Sequence, residues 1–152
     1  MKILYAPCAF LIAILLAGCA AERAKPSPVS IQVGQIRQAL DSITESYEKK
    51  DEKTFFEKID PSFKNVEDFK GRAIQDFTAF SQIKLELKVD RIRIEDDSIW
   101  VAARWSGAWK TAPEAPPLEK RGNALLRWTA GEDPKLLEIR GDPPFGVYGT
   151  GS

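Results

Sequence analysis

The spacing of apolar residues changes at Gln82, and this change constrains the fold more than any other feature. Before Gln82, apolar side chains recur every three or four residues, which is typical of one face of an α-helix. After it, apolar and polar residues alternate, which is typical of strands with one buried face. Helices that precede strands, rather than alternate with them, predict an α+β fold with an antiparallel sheet.

Three helices are predicted in the first part of the chain. The first has apolar residues at Ile36, Leu40, Ile43 and Tyr47. Pro61 ends the second, because proline disrupts a helix interior. The predicted helices cover residues 33–50, 51–59 and 65–81.

Four strands follow, and the first of them changes phase. Alternation runs from Ile83 to Val89 and resumes one step late at Ile92. One extra residue in a strand is a β-bulge, so we expect a bulge and a bend at Asp90 and Arg91. A long bent sheet over a helical layer encloses a cone with one open end. The predicted strands cover 82–94, 99–110, 119–129 and 136–140.

The amino-terminal segment predicts export. Lys2 precedes a long uncharged run, which ends in Leu16-Ala17-Gly18-Cys19. This tetrad resembles the lipobox of bacterial lipoprotein signal peptides, in which the cysteine thiol receives diacylglycerol before cleavage. Residues 1–18 are therefore predicted to be a signal peptide, and Cys19 the lipidation site. A retained transmembrane helix is the alternative.

The same part of the sequence predicts a flexible tether and the location of the domain in the cell. Residues 19–32 are small, polar and proline-bearing, which predicts a lipidated, disordered tether. We expect the domain to lie in the cell envelope, held to the membrane by the acyl chains on Cys19. Ala20, in place of aspartate, implies an outer-membrane protein facing the periplasm if the host has two membranes.

Composition excludes several kinds of site. The sequence has no histidine. Of its two cysteines, Cys8 lies in the predicted signal peptide and Cys19 is the predicted lipidation site, so the mature domain has no free thiol. Catalytic triads with histidine, and zinc or copper sites with histidine or cysteine ligands, are therefore excluded. We predict neither a metal nor a cofactor. The formal net charge of zero gives no reason to expect nucleic acid as a partner.

The order of elements resembles that of the nuclear transport factor 2-like superfamily, also called the cone-fold or SnoaL-like proteins. The resemblance covers residues 33–146 and includes the bulged strand and the ending from Leu137 to Gly146. Residues 147–152 are predicted to be a disordered tail. A cystatin-like sheet on one helix is the alternative fold, and three leading helices argue against it.

The resemblance implies a place for catalysis, because cone-fold isomerases, dehydratases and polyketide cyclases work inside the cone. An aspartate or histidine base acts there with a hydrogen-bond donor such as tyrosine. The candidates are Tyr47, Asp60 and Asp90. Each has a structural alternative: Tyr47 as a core residue with its hydroxyl at the rim, Asp60 as a turn residue, and Asp90 as the partner of an arginine.

Aromatic residues raise two further questions. Trp105, Trp109 and Trp128 either line a ligand cavity or fill the core. In the second strand, alternation places Trp100 on the face opposite to that of Trp105 and Trp109. There it either forms an exposed apolar patch or stacks on nearby arginines. We also expect two prolines to direct Phe145 back onto the body and plug the cone. The candidate interface residues are Trp100, Arg104, Leu125, Arg127 and Leu136.

These observations favour a non-enzymatic domain that is tethered to the membrane and binds a protein or small ligand in the cell envelope. A lyase- or isomerase-like enzyme that uses an aspartate base with Tyr47 is one alternative. A structural homodimer is the other.

Overall fold

The computed structural model describes residues 27–149 and places three helices against a four-stranded antiparallel sheet. This arrangement confirms the predicted α+β cone. The predictions for the signal peptide and Cys19 lie outside the described residues. The elements are α1 (Pro28–Lys49), α2 (Glu52–Glu57), α3 (Val66–Ala79), β1 (Gln82–Ile94), β2 (Ser98–Lys110), β3 (Leu118–Thr129) and β4 (Leu136–Gly141).

Helix α1 begins earlier than the sequence pattern indicated. The Ser27 hydroxyl accepts a hydrogen bond from the backbone N–H of Ser30 at 3.1 Å, and Pro28 occupies the first turn. Serine at the N-cap followed by proline is a strong start signal for a helix. The predicted tether is therefore wrong over residues 28–32, which are helical. No helix within residues 27–149 is long and apolar enough to cross a bilayer.

The sheet has the order β1-β2-β3-β4 and contains two bulges. The first lies between Val89 and Arg91 and confirms the predicted bend. The second was not predicted: Arg127 pairs with Glu138, whereas the next residue, Trp128, pairs with Leu136. The extra residue in β4 turns the side chain of Leu136 towards the core, where it is fully buried. Its predicted place in an outer interface is therefore wrong.

The core lies between the helices and the inner face of the sheet. Trp105, Trp109 and Trp128 are all buried in it, so the core-filling interpretation of these side chains is confirmed. The link between α2 and α3 covers one side of this core. It is joined to β4, because Leu136 donates a backbone hydrogen bond to Lys58 and accepts one from Asp60.

Candidate functional site

The interior of the cone is filled by the segment that follows β4. The chain turns at Gly141, whose φ of 84° favours glycine, and passes through two prolines to Phe145. The Phe145 ring is 1% exposed and lies with its centroid 5.0 Å from Tyr47 and 5.3 Å from Phe55. The prediction that Phe145 plugs the cone is confirmed.

A buried carboxylate holds this segment in place. Asp76 of α3 has no exposed surface, and its carboxylate accepts hydrogen bonds from the backbone N–H groups of Val147 at 2.9 Å and Tyr148 at 2.7 Å. It also accepts a hydrogen bond from the Tyr47 hydroxyl. The Trp109 indole N–H donates in turn to the Tyr47 oxygen at 3.2 Å. We call these five residues the tail latch.

The tail latch overturns two expectations. Val147 is 4% exposed and Tyr148 donates to a buried carboxylate, so the predicted disordered tail is wrong at these two residues. Tyr47 is a core residue, as its structural alternative predicted, but its hydroxyl points to Asp76 rather than to the rim. Phe77 and Phe55 pack against its ring.

Burial controls the chemistry of the Tyr47 phenol. Desolvation raises the pKa of Tyr47 far above its ordinary value, and the nearby charge of Asp76 raises it further. The phenol is therefore neutral and acts as a hydrogen-bond donor. A tyrosine beside a carboxylate is a usable acid–base pair in principle. Neither side chain reaches solvent, however, and both backbone donors of the tail occupy the carboxylate.

The other two catalytic candidates lie elsewhere and have structural roles. Asp60 accepts hydrogen bonds from the backbone N–H and hydroxyl of Ser62, which hold the pKa of its carboxyl below the usual range. Asp90 sits at the bulge and binds Arg104 through two donor nitrogens at 2.8–3.0 Å, which lowers the pKa of Asp90. Neither hydrogen-bonds to Tyr47. The structural alternatives are confirmed for both.

Sequence reasoning missed Asp76, although a signal was present. Phe69, Ala73, Phe77 and Phe80 form the inner stripe of α3, and Asp76 falls on that stripe between them. An acidic residue on the apolar face of a helix costs free energy unless it has partners. Its position therefore indicated a buried polar contact.

The outer face of the sheet carries the second candidate site. Trp100 is 8% exposed, because the guanidinium carbons of Arg127 and Arg140 lie 5.7 Å and 4.8 Å from its ring centroid. Its indole N–H donates to Glu95 at 2.9 Å. Of the two alternatives for Trp100, stacking on neighbouring arginines is confirmed, and its ring is not broadly exposed. Leu125, from β3, remains partly exposed beside it.

A hollow of about 270 Å³ opens on this face. Trp100, Ala102 and Leu125 form its apolar floor, and Asp90, Arg91 and Arg93 complete its lining. We call it the arginine hollow. Residues 27–149 contain no group of three or more histidine, cysteine, aspartate or glutamate side chains that could hold a metal ion.

No protein-family model matches the sequence, and no curated protein matches it at a significant level. Solved structures do match. A candidate dehydratase of the NTF2-like family from Streptomyces avermitilis aligns with a TM-score of 0.62 and 14% identity, over 74% of this chain and 96% of that one. A candidate scytalone dehydratase from Novosphingobium aromaticivorans aligns with a TM-score of 0.64 and 10% identity, over 74% and 85%.

A third similar structure is an NTF2-like superfamily protein from Salmonella enterica, with a TM-score of 0.60 and 14% identity, over 83% of this chain and all of that one. At such identities the likeness establishes architecture alone. The three helices, the bulged antiparallel sheet and these neighbours agree with one another. The chain therefore has the NTF2-like cone fold.

Proposed function

We propose that this chain is a non-enzymatic binding module of the cell envelope, held to a membrane by lipid on Cys19. One observation carries the non-enzymatic part: Phe145 and the tail latch occupy the interior in which cone-fold enzymes bind their substrates. Substrate could reach the buried carboxylate of Asp76 only after the chain's own tail had left.

The competing function is that of a lyase- or isomerase-like enzyme. Two structural neighbours are candidate dehydratases, and Tyr47 beside Asp76 has the residue types of an acid–base pair. Such an enzyme needs a base that substrate can approach to within hydrogen-bonding distance. Tyr47 and Asp76 are both fully buried, so the closed cone favours the binding role.

Binding of a small apolar ligand tests whether the cone is closed. A ligand that binds only the native state raises its thermal stability, and the rise grows with the logarithm of ligand concentration once that exceeds the dissociation constant. We expect the melting temperature of the full chain to remain unchanged in benzene or indole. In the Phe145→Ala variant, the vacated space should bind benzene and the melting temperature should rise, because dry apolar cavities of this kind bind it. Stabilisation of the wild-type chain would contradict a filled interior.

Lipidation of Cys19 has its own test. Labelling cells with an alkyne analogue of palmitate should mark the wild-type chain and the Cys8→Ala variant equally. The Cys19→Ala variant should lose the label and remain uncleaved, because lipidation precedes cleavage. A Cys19→Ala chain that still carries the label and is still cleaved at the same junction would refute the anchor.

The binding role is tested on the outer face of the sheet, since the interior is closed. A photo-crosslinking amino acid in place of Leu125 should give discrete adducts in intact cells. The same amino acid in place of Lys53, which is exposed on α2, serves as the control. If Leu125 yields no adduct beyond those of the control, the binding role is wrong. An adduct with a second copy of this chain would instead support the structural homodimer.

A further inference from the structure

We infer that the arginine hollow binds an acidic peptide segment of a partner protein, with one apolar side chain on the hollow's floor and carboxylates on its rim. This inference rests on the binding role proposed above and adds the site and the chemistry of the partner.

The first argument is charge. Five arginines surround the hollow but only three acids accompany them, whereas the chain as a whole has no net charge. Three of the arginines have an acid within 3.1 Å, a fourth shares one at 3.8 Å, and Arg91 has none within the described part of the chain. The face is therefore positive and attracts anions. The arginines are Arg91, Arg93, Arg104, Arg127 and Arg140, and the acids are Asp90, Glu95 and Glu138.

The second argument is the kind of cation. A planar guanidinium group presents paired N–H donors that match the two oxygens of a carboxylate, which a lysine ammonium does not. The side chains of Arg93 and Arg104 are 64% and 65% exposed, so much of each remains accessible to a partner. The guanidinium donors of Arg91 have no acceptor among residues 27–149. Carboxylates of aspartate or glutamate fit this rim.

The third argument is the size and composition of the hollow. Its volume of about 270 Å³ lies below the roughly 300–1,000 Å³ of most small-molecule sites. It suits one apolar side chain rather than a whole cofactor. Contacts with Glu95, Arg127 and Arg140 already hold Trp100 in place, so its ring loses little conformational freedom when a partner binds.

The depth of the floor favours a peptide over a lipid surface. Trp100 is 8% exposed and lies beneath more exposed arginines, so the apolar surface is recessed. Insertion into a bilayer requires apolar side chains that project beyond the charged ones. A peptide can lower a single leucine into the hollow while its acidic neighbours remain at the rim.

The test uses the full chain in detergent and a fluorescein-labelled pentapeptide in which leucine lies between two pairs of glutamates. Fluorescence anisotropy at low salt measures the dissociation constant. In the Arg91→Ala, Arg93→Ala double variant we expect this constant to rise by about tenfold or more, because two charged contacts are lost. The matched control is Arg37→Ala, Lys53→Ala, which removes two exposed charges from the helical layer. It should bind the peptide as the wild type does.

Two further comparisons use the same assay. Replacing the glutamates of the peptide with glutamines should abolish binding, and Leu125→Glu, which places a carboxylate in the hollow, should weaken it. The inference is overturned if the peptide does not bind the wild type, if the control variant binds it as weakly as the double variant does, or if the glutamine peptide binds as tightly as the glutamate peptide. Capture by anionic phosphatidylglycerol vesicles without peptide binding would also overturn it, in favour of a lipid surface.

The outcome separates the inference from the proposed function. If crosslinks from position 125 survive in the Arg91→Ala, Arg93→Ala variant, a partner binds this face by other chemistry and only the inference fails. If position 125 gives no crosslink in any variant, the binding role fails as well.

Discussion

Substitution of Asp76 by asparagine tests the tail latch most directly, because it replaces one carboxylate oxygen with an NH₂ group and preserves the shape of the side chain. One carboxylate oxygen accepts from Tyr148 N–H, and the other accepts from Val147 N–H and the Tyr47 hydroxyl. An amide has one acceptor oxygen and one donor nitrogen. Whichever way it is oriented, its NH₂ group faces a backbone N–H that donates to the carboxylate in the wild-type chain.

The magnitude follows from the bond that is lost. A hydrogen bond to a charged acceptor contributes about 1.5–3 kcal/mol, and placing a second donor against the N–H in its stead adds to this cost. We therefore expect Asp76→Asn to lower the free energy of unfolding by about 2–4 kcal/mol. For a denaturation slope of about 1–3 kcal/mol per molar urea, the midpoint should fall by roughly 1 M or more.

The assay combines urea denaturation with hydrogen exchange. The amides of Val147 and Tyr148 should lose their protection in Asp76→Asn while those of the central strands keep theirs. Asp68→Asn is the control, since Asp68 lies on the same helix but is exposed and pairs with Arg72 at 3.2 Å. It should change stability by less than about 1 kcal/mol. If Asp76→Asn unfolds at the wild-type midpoint with both amides still protected, the latch does not hold the tail.

The remaining predictions concern pH and glycine. Folding raises the pKa of the Tyr47 hydroxyl above its ordinary value of 10.0. As pH rises above about 10, the hydroxyl therefore ionises in the unfolded chain but not in the folded one, and the free energy of unfolding falls. The difference in stability between wild type and Tyr47→Phe should therefore change by about 1.4 kcal/mol per pH unit above pH 10 in urea titrations, and a constant difference would refute this. Gly146→Ala should lower the melting temperature, because Gly146 has a φ of 72° and an added Cβ would lie 2.9 Å from that of Arg72. Gly34 lies in an open position of α1, so Gly34→Ala should raise the free energy of unfolding by about 0.5–1 kcal/mol. A stabilising Gly146→Ala or a destabilising Gly34→Ala would contradict this reasoning.

Local patterns predicted the elements of the fold well. The strand bounds and the bulge at Asp90 follow from alternation, which each strand carries in its own residues. The second bulge left no such trace, because Leu136 and Leu137 are both leucine and either phase looks equally apolar. The side of the sheet that Leu136 faces is decided by its pairing with Trp128, which is a tertiary contact.

The candidate site was harder to predict, because its partners are distant in sequence. Asp76 accepts from backbone groups 71 and 72 residues further along the chain. Backbone donors leave no mark on residue type, so no motif pairs Asp76 with Val147. The surroundings of Trp100 were hard to predict for the same reason. Alternation correctly predicted which face of the sheet it lies on, but the guanidinium groups that cover its ring come from two other strands.

The position of the tail latch in the chain also affects how the protein is made. Phe145 to Tyr148 follow all the helices and strands found within residues 27–149, so they leave the ribosome after those elements. Until then, α3 carries a carboxylate in an apolar setting without its two backbone donors, and the rings of Tyr47 and Phe55 lack their contact with Phe145. Cellular proteases should therefore degrade a chain truncated before Phe145 faster than one that includes residues 145–148. The segment from Phe145 to Tyr148 therefore completes the core only after the sheet has been synthesised.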